Sequence, residues 1–249
     1  MKEALVVIAV SASQVGQAHC SFLMELRGLI NEAHEICKTR HFSIAIDSFQ
    51  RGAERAVINQ LRANEIFVRQ VAQELSERSR ASVIRDLDIS ETSIDSLLER
   101  RGLLKASLSN LFTLLEHQVR KDVITAERSL TAFRFKLNHL TASENFKRHS
   151  AVIKSQQLTG VEFSYVDRLN RQWQSDTYAE LTTRQALLDI YNESYISTAL
   201  SANVSDFALR GTDGTKTPFD LTDYPEVRKK SIHPRSNRLV EVVNKSLVT

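Results

Sequence analysis

Apolar residues recur at intervals of three and four along most of the chain, which is the spacing of one face of an α-helix. The pattern is helical across residues 34–87, where six positions follow gaps of 4, 3, 4, 3 and 4. These candidate seam positions are Val57, Leu61, Asn64, Val68, Val71 and Leu75. Such spacing is typical of a coiled coil, so we expect these side chains to face another helix.

Asn64 is a polar residue inside this predicted seam. A polar seam residue lowers stability but can fix the register and the number of associating helices. Alternatively, Asn64 hydrogen-bonds a neighbouring helix within one subunit. The pattern leaves both interpretations open.

A second long helix is predicted from about residue 93 to residue 140. The preceding segment 85–93 is rich in acidic and hydroxyl side chains, and Ser90, Thr92 or Ser93 is expected to cap the new helix. Four more candidate seam residues open its apolar stripe, namely Leu104, Leu108, Leu111 and Leu115. A helix of this length is roughly 70 Å long and must bury its stripe against another helix or a copy of itself.

The stretch 160–206 is interpreted as further helix. It contains six aromatic residues, Phe163, Tyr165, Trp173, Tyr178, Tyr191 and Tyr195. Core packing is the expected role of these rings, and a protein interface is the alternative. Stacking of Arg168, Arg171 and Trp173 on nucleic acid bases is a third interpretation, which the neighbouring acidic residues disfavour.

Composition agrees with long helices. The chain has 249 residues, of which 42% are hydrophobic and 25% charged, and this balance excludes a wholly disordered or polytopic membrane protein. It has only seven glycines and three prolines, and no proline precedes residue 218. We therefore expect an all-α protein whose long helices form an elongated bundle or coiled-coil-like rod.

The N-terminal segment, residues 1–30, is apolar and predicted to be helical. No Asp, Glu, Lys or Arg lies between Ala4 and Met24. Three interpretations remain, which are a helix buried in the protein's own assembly, a conditional membrane-inserting helix, and a cleaved signal peptide. The candidate membrane or assembly residues are Leu5, Val6, Val7, Ile8, Val10, Phe22 and Leu23.

The C-terminal segment, residues 206–249, differs in composition, since Gly211, Gly214 and the prolines Pro218, Pro225 and Pro234 are expected to break any helix there. We expect an extended basic arm that follows the helical region 31–205. Seven basic and four acidic residues lie between residues 210 and 238, so this stretch carries +3, the net charge of the whole chain. Its candidate contacts for phosphates, an acidic protein rim or solvent are Arg228, Lys229, Lys230, Arg235 and Arg238.

The sequence contains no phosphate-binding loop, dinucleotide turn, nucleophile elbow or Cys-x-x-Cys pair. His34, Cys37 and His41 would share one helix face, which is a weak signal for a metal site. Cys20 and Cys37 are expected to be reduced or buried thiols. We predict no catalytic residue, cofactor or metal, and hence no enzyme.

Two short sequences resemble the small internal virion proteins of short-tailed bacteriophages. The opening Ala4-Leu-Val-Val-Ile-Ala-Val-Ser-Ala-Ser-Gln14 is similar to their apolar first segment. Arg80-Ala-Ser-Val83 followed by Ser93-Ile-Asp-Ser-Leu-Leu98 is similar to their turn and entry into a second long helix. The likeness covers about residues 1–140, and it departs at the turn, which usually bears glycine and here reads Asp86-Leu-Asp-Ile-Ser-Glu91.

The resemblance implies a virion protein inside the capsid, above the portal. Its partners would be copies of itself in a ring, the portal protein and other inner-core proteins, with DNA passing nearby and bound only non-specifically. After ejection it would reach the host cell envelope and help form a channel across the outer membrane for the genome. The alternatives are a self-associating helical scaffold without a membrane role, and a nucleic-acid binder acting through the tail.

Overall fold

A computed structural model describes residues 2–38, 41–90, 97–141, 161–166 and 170–243. Within these ranges the protein is mostly helical, as predicted, with five α-helices and five short strands. The helices are α1 (Lys2–Lys38), α2 (Phe42–Leu87), α3 (Leu97–Thr141), α4 (Ser175–Ser201) and α5 (Tyr224–Ser231). The strands are β1 (Ser164–Val166), β2 (Gln172–Gln174), β3 (Phe207–Gly211), β4 (Lys216–Phe219) and β5 (Arg238–Val242), and a 3-10 turn spans Leu221–Asp223.

The predicted break near residue 87 is a helix end with a left-handed residue. Helix α2 ends at Leu87, Asp88 has φ 56°, and the Ile89 N–H donates to the Ile84 carbonyl at 3.2 Å. This 6→1 bond satisfies a carbonyl that the helix end would leave without a partner. Ser90 follows this turn, and the other two predicted caps, Thr92 and Ser93, lie outside the described residues.

The helical pattern over 34–87 is not one helix. Helix α1 ends at Lys38 and α2 begins at Phe42, so the helical pattern over 34–87 comes from the end of α1 and the whole of α2. The apolar spacing continues across the junction because both helices bury a face, and spacing alone does not reveal the change of helix.

The chain divides into two compact units. The first combines Met1–Val15, Asn64–Leu114 and Ala179–Thr249, and the second combines Gly16–Ala63 and Leu115–Tyr178. The boundaries predicted at residues 30 and 205 do not coincide with this division.

A hydrophobic core of the second unit is built by α1, α2, α3 and Phe163. Its largest fully buried side chains are Leu26, Phe49, Leu130 and Phe163. Close packing reaches Gly52, where an added Cβ would lie 2.6 Å from the Leu29 side chain.

The stretch 160–206 is only partly helical. Strands β1 and β2 pair antiparallel, with Tyr165 opposite Trp173, and helix begins only at Ser175. Asn170 lies between the strands with φ 59°, a conformation that Asn tolerates better than most residues. Arg171 lies over the Trp173 ring at 5.4 Å, whereas Arg168, the other cation predicted there, lies outside the described residues.

In the first unit, the predicted C-terminal arm is a folded sheet over the described residues 206–243. Its strand order is β4-β3-β5, both pairs are antiparallel, and Phe207, Ala208 and Leu209 of the central strand are buried. The prediction of an extended arm is therefore wrong for this part of the chain.

The residues read as helix breakers make the turn and one edge of this sheet. Gly214, with φ 85°, lies in the tight turn between β3 and β4, where the Gly214 N–H donates to the Gly211 carbonyl at 3.1 Å. Pro218 lies in β4, an edge strand, which is where a sheet tolerates a residue without an N–H.

Strand β5 is hydrogen-bonded to side chains as well as to β3. The Val240 N–H donates to Asn192 Oδ1 at 2.9 Å, and the Val242 N–H donates to the Tyr195 hydroxyl at 3.2 Å. The Arg238 N–H donates to Ser236 Oγ at 3.2 Å. Helix α4, which supplies Asn192 and Tyr195, therefore fixes the position of β5.

The Tyr195 hydroxyl also donates to Asp86 Oδ2 of α2 at 2.8 Å. Burial, and next the Asp86 carboxylate, raise the pKa of Tyr195 above its usual value, so the hydroxyl stays protonated and can donate. Phe163, Tyr191 and Tyr195 are buried, which supports core packing for these three rings. Tyr165, Trp173 and Tyr178 are half-buried.

The ten candidate seam residues are buried, apart from Leu61 and Leu104, which are half-buried. Asn64 is among the buried ones, and its Nδ2 has no hydrogen-bond partner in the described part of the chain. The pairing of these residues in a coiled-coil seam stays a prediction.

Two glycine substitutions should change stability in opposite directions. Gly28 lies exposed in α1 with open space around it, so Gly28→Ala should raise the free energy of unfolding by about 0.5–1 kcal/mol. Gly214 also has open space, but its positive φ strains any side chain, so Gly214→Ala should lower it by about 1–2 kcal/mol. Urea unfolding would measure both, and shifts of the same sign would contradict this account.

Candidate functional site

The N-terminal segment of α1 is the first candidate, and the fold divides its residues between core and surface. Leu5, Ile8, Phe22 and Leu23 are buried, and Val7 is half-buried. Val6 and Val10 are 60% and 52% exposed. The seven candidate residues therefore do not form one continuous apolar surface.

One helix in the described part of the chain, Lys2–Cys37, is long and apolar enough to cross a membrane. That statement rests on length and composition, and the core helix of a soluble protein passes the same test. Val6 and Val10 lie in the segment 4–24, which carries no charged residue. These two exposed side chains form the uncharged apolar patch on α1. Glu3, just before it, lies 3.7 Å from Arg78 of α2.

A buried polar cluster in the second unit is the second candidate, and it consists of His19, Gln118, Asp122 and Ser175. Asp122 Oδ2 accepts from the Ser175 hydroxyl at 2.6 Å and from His19 Nε2 at 2.9 Å. Its Oδ1 accepts from Gln118 Nε2 at 3.2 Å. Three donors therefore surround a carboxylate that is 1% exposed, which offsets the cost of removing its charge from water.

The hydrogen bonds assign the proton of the His19 ring. Because an ionised carboxylate only accepts, the His19 Nε2 atom carries the hydrogen. Ser175 Oγ lies 2.9 Å from the same nitrogen and accepts from Gln118 Nε2 at 2.7 Å. His19 Nδ1 and Gln118 Oε1 have no hydrogen-bond partner among the described residues.

A serine, a histidine and an aspartate in contact suggest nucleophilic catalysis, but the geometry differs from a catalytic triad. In a triad the hydroxyl and the carboxylate contact opposite ring nitrogens, so that the ring can pass a proton. Here both contact Nε2, and His19 and Ser175 are fully buried. This arrangement holds helices together and offers no attacking hydroxyl to a substrate.

Sequence reasoning missed this cluster. Asp122 lies three residues after Val119 and four before Ala126, so it interrupts the apolar stripe of α3. That interruption was the available signal for a buried carboxylate with partners. Its partners could not be deduced, since His19 and Ser175 lie 103 and 53 residues away in sequence.

The basic residues of the C-terminal segment do not act as one group. The Arg228 guanidinium donates to both oxygens of Asp189, at 3.0 and 2.6 Å, and lies 3.6 Å from Glu193. The Asp189 hydrogen bond raises the pKa of Arg228 further above its usual value, so this cation stays charged and paired with Asp189. All five candidates, Arg228, Lys229, Lys230, Arg235 and Arg238, are exposed.

The structure does not support a metal site at His34, Cys37 and His41. His34 and Cys37 lie in α1, but His41 precedes α2, so the three residues do not share one helix face. His34 is buried with its ring centroid 4.0 Å from that of Phe133. Burial raises the pKa of Cys37, and neither Cys37 nor Cys20 forms a disulfide. The described residues contain no group of three or more His, Cys, Asp or Glu side chains arranged to hold a metal.

No protein-family model, curated protein or solved structure matches the chain.

Removing the buried carboxylate should destabilise the protein strongly. Asp122→Ala removes the acceptor that three buried donors share, and we expect the free energy of unfolding to fall by about 3–5 kcal/mol in urea titrations. Glu116→Ala is the matched control on the same helix, since Glu116 pairs with Arg120 at the surface and should cost less than about 1 kcal/mol. Equal unfolding midpoints for the two variants would show that the cluster does not hold the fold.

Proposed function

We propose that this chain is a non-enzymatic structural protein of a bacteriophage virion inner core, ejected at infection, that helps form a channel across the host outer membrane. Its partners would be copies of itself, the portal protein and other inner-core proteins, and DNA would pass without specific binding. The resemblance of residues 1–140 motivates this proposal. The observation that carries it is the uncharged apolar patch on α1.

The length of the uncharged segment supports membrane insertion. Residues 4–24 span roughly 31 Å as a helix, close to the hydrocarbon thickness of about 30 Å. Val6 and Val10 contact water in the folded chain, and burying an apolar side chain fully gains about 1.5–3 kcal/mol. Contact with lipid or with another subunit would recover part of this free energy.

Insertion of α1 into a bilayer requires the protein to rearrange, because about half of the segment 4–24 is already buried in the folded chain. Leu5 and Ile8 are buried, so α1 must leave these contacts before it can cross a bilayer. Ser13, Gln14 and Gln17 would then need hydrogen-bond partners in lipid, which neighbouring copies of the helix can supply. The proposal therefore couples insertion of α1 to self-association through α1.

The test is flotation on liposomes with dye release, using the full chain and the double variant Val6→Glu, Val10→Glu. A charge in hydrocarbon costs about 2.5–3.5 kcal/mol, so dye release should fall at least about tenfold while the circular dichroism spectrum is unchanged. Ile66→Glu is the matched control, since Ile66 is 62% exposed on α2 and should retain dye release. Point variants are preferable to truncation, which would remove the buried Leu5, Ile8 and Phe22.

Absence of flotation and dye release would overturn the channel proposal. Equal loss in the Ile66→Glu control would also overturn it, because the effect would not then depend on α1.

The burial of Leu5, Ile8, Phe22 and Leu23 favours a second candidate, a self-associating helical scaffold without a membrane role. In that case the chain would sediment as an oligomer, the Val6→Glu, Val10→Glu variant would dissociate it, and liposomes would not bind. A monomer that does not bind liposomes would exclude both candidates.

A further inference from the structure

A polar cavity of about 390 Å³ opens in the first unit, beside the C-terminal sheet. The turn after β3, the end of α5 and the loop before β5 surround it. The polar and charged side chains that line it include Thr212, Asp213, Lys230, His233, Asn237 and Arg238. The volume lies in the range of sites for small ligands, so this cavity can hold more than a single ion.

Hydrogen bonds outside the cavity orient two of its donors. The Arg235 N–H donates to His233 Nδ1 at 3.2 Å, so the proton of the neutral His233 ring lies on Nε2. Arg184 donates to Asn237 Oδ1 at 3.0 Å, which leaves Nδ2 of this amide as the group that can donate to a ligand. Both side chains therefore offer N–H groups.

The charge balance favours an anion. Lys230 lies 3.9 Å from the exposed carboxylate of Glu226, and the positive charge of Arg238 acts on Asp213. Asp213 is the opposing charge, and hydrogen bonds from Thr215 hold its pKa below the usual value, so it stays ionised. Two cations thus face one carboxylate, which leaves an excess of positive charge at the cavity. This excess outweighs the weak, solvent-screened negative end of the dipole of the short helix α5.

We propose that this cavity binds the phosphate group of a small phosphate monoester, with Lys230 and Arg238 as the principal contacts. Arginine donates in a fork that fits phosphate oxygens, and the lysine ammonium adds a point charge. The Asn237 amide and the Thr212 hydroxyl supply further polar contacts for the remainder of the ligand. The proposal is independent of any role in a virion or a membrane.

The concave shape and the use of Arg228 favour a small ligand over nucleic acid. A nucleic-acid surface needs a stripe of cations along the backbone, and Arg228 is held by Asp189 instead. No aromatic ring apart from the His233 imidazole lines the cavity among the described residues, so bases would find no flat surface on which to stack.

Calorimetric titration of the full chain with inorganic phosphate and with adenosine monophosphate tests this site, and adenosine serves as the phosphate-free probe. We expect both phosphates to bind with millimolar or tighter affinity and adenosine not to bind. The double variant Lys230→Gln, Arg238→Gln should weaken binding about tenfold or more without changing the unfolding midpoint. Lys229→Gln is the matched control, because it removes a charge next to Lys230 from a residue that does not line the cavity.

Three outcomes would overturn the proposal. The first is no binding of either phosphate. The second is an equal loss in the Lys229→Gln control, which would indicate attraction to net charge alone. The third is binding of a short DNA duplex that neither phosphate displaces, which would make this face a nucleic-acid surface.

Discussion

The fold depends on carboxylates buried on long helices, because each must find donors that lie far away in sequence. In the second unit, Asp122 of α3 accepts from His19 of α1 and from Ser175, the first residue of α4. In the first unit, Asp189 of α4 accepts from the fork of Arg228 in α5. A hydrophobic stripe tolerates sliding by a turn, whereas a buried charge with fixed partners does not. We therefore expect these two carboxylates to fix the register that apolar packing leaves open.

Periodic spacing is sufficient to predict the long helices and the turn after Leu87, because both follow from local chemistry. The C-terminal sheet was not predicted, since Gly211, Gly214 and Pro218 were read as helix breakers and not as parts of a hairpin. The dipeptide Asp213-Gly214 was the missed signal for a hairpin turn. The strands are also short, and Phe207, Ala208 and Leu209 are buried in succession, so the alternation that marks a strand is absent. The His19–Asp122–Ser175 contacts lie beyond prediction from one sequence, since no local rule brings these helices together.

Helix α1 illustrates why composition cannot decide between a core helix and a membrane helix. Its uncharged stretch contains buried residues such as Ile8 and exposed ones such as Val10. A charged side chain is unfavourable in a protein core and also in the interior of a bilayer. A helix that will be buried in protein and one that will be buried in lipid meet the same requirement. Only the choice of which face contacts water separates them, and that choice depends on the rest of the fold.

The hydrogen bonds of β5 have a consequence for whether another chain could pair with this sheet. Edge strands normally present a row of N–H groups to which another chain can add a strand. Here the N–H groups of Arg238, Val240 and Val242 are already taken by Ser236, Asn192 and Tyr195, and the opposite edge carries Pro218. The described sheet is therefore capped against growth at both edges. A second chain that met this protein would therefore contact side chains and would not add a strand to this sheet.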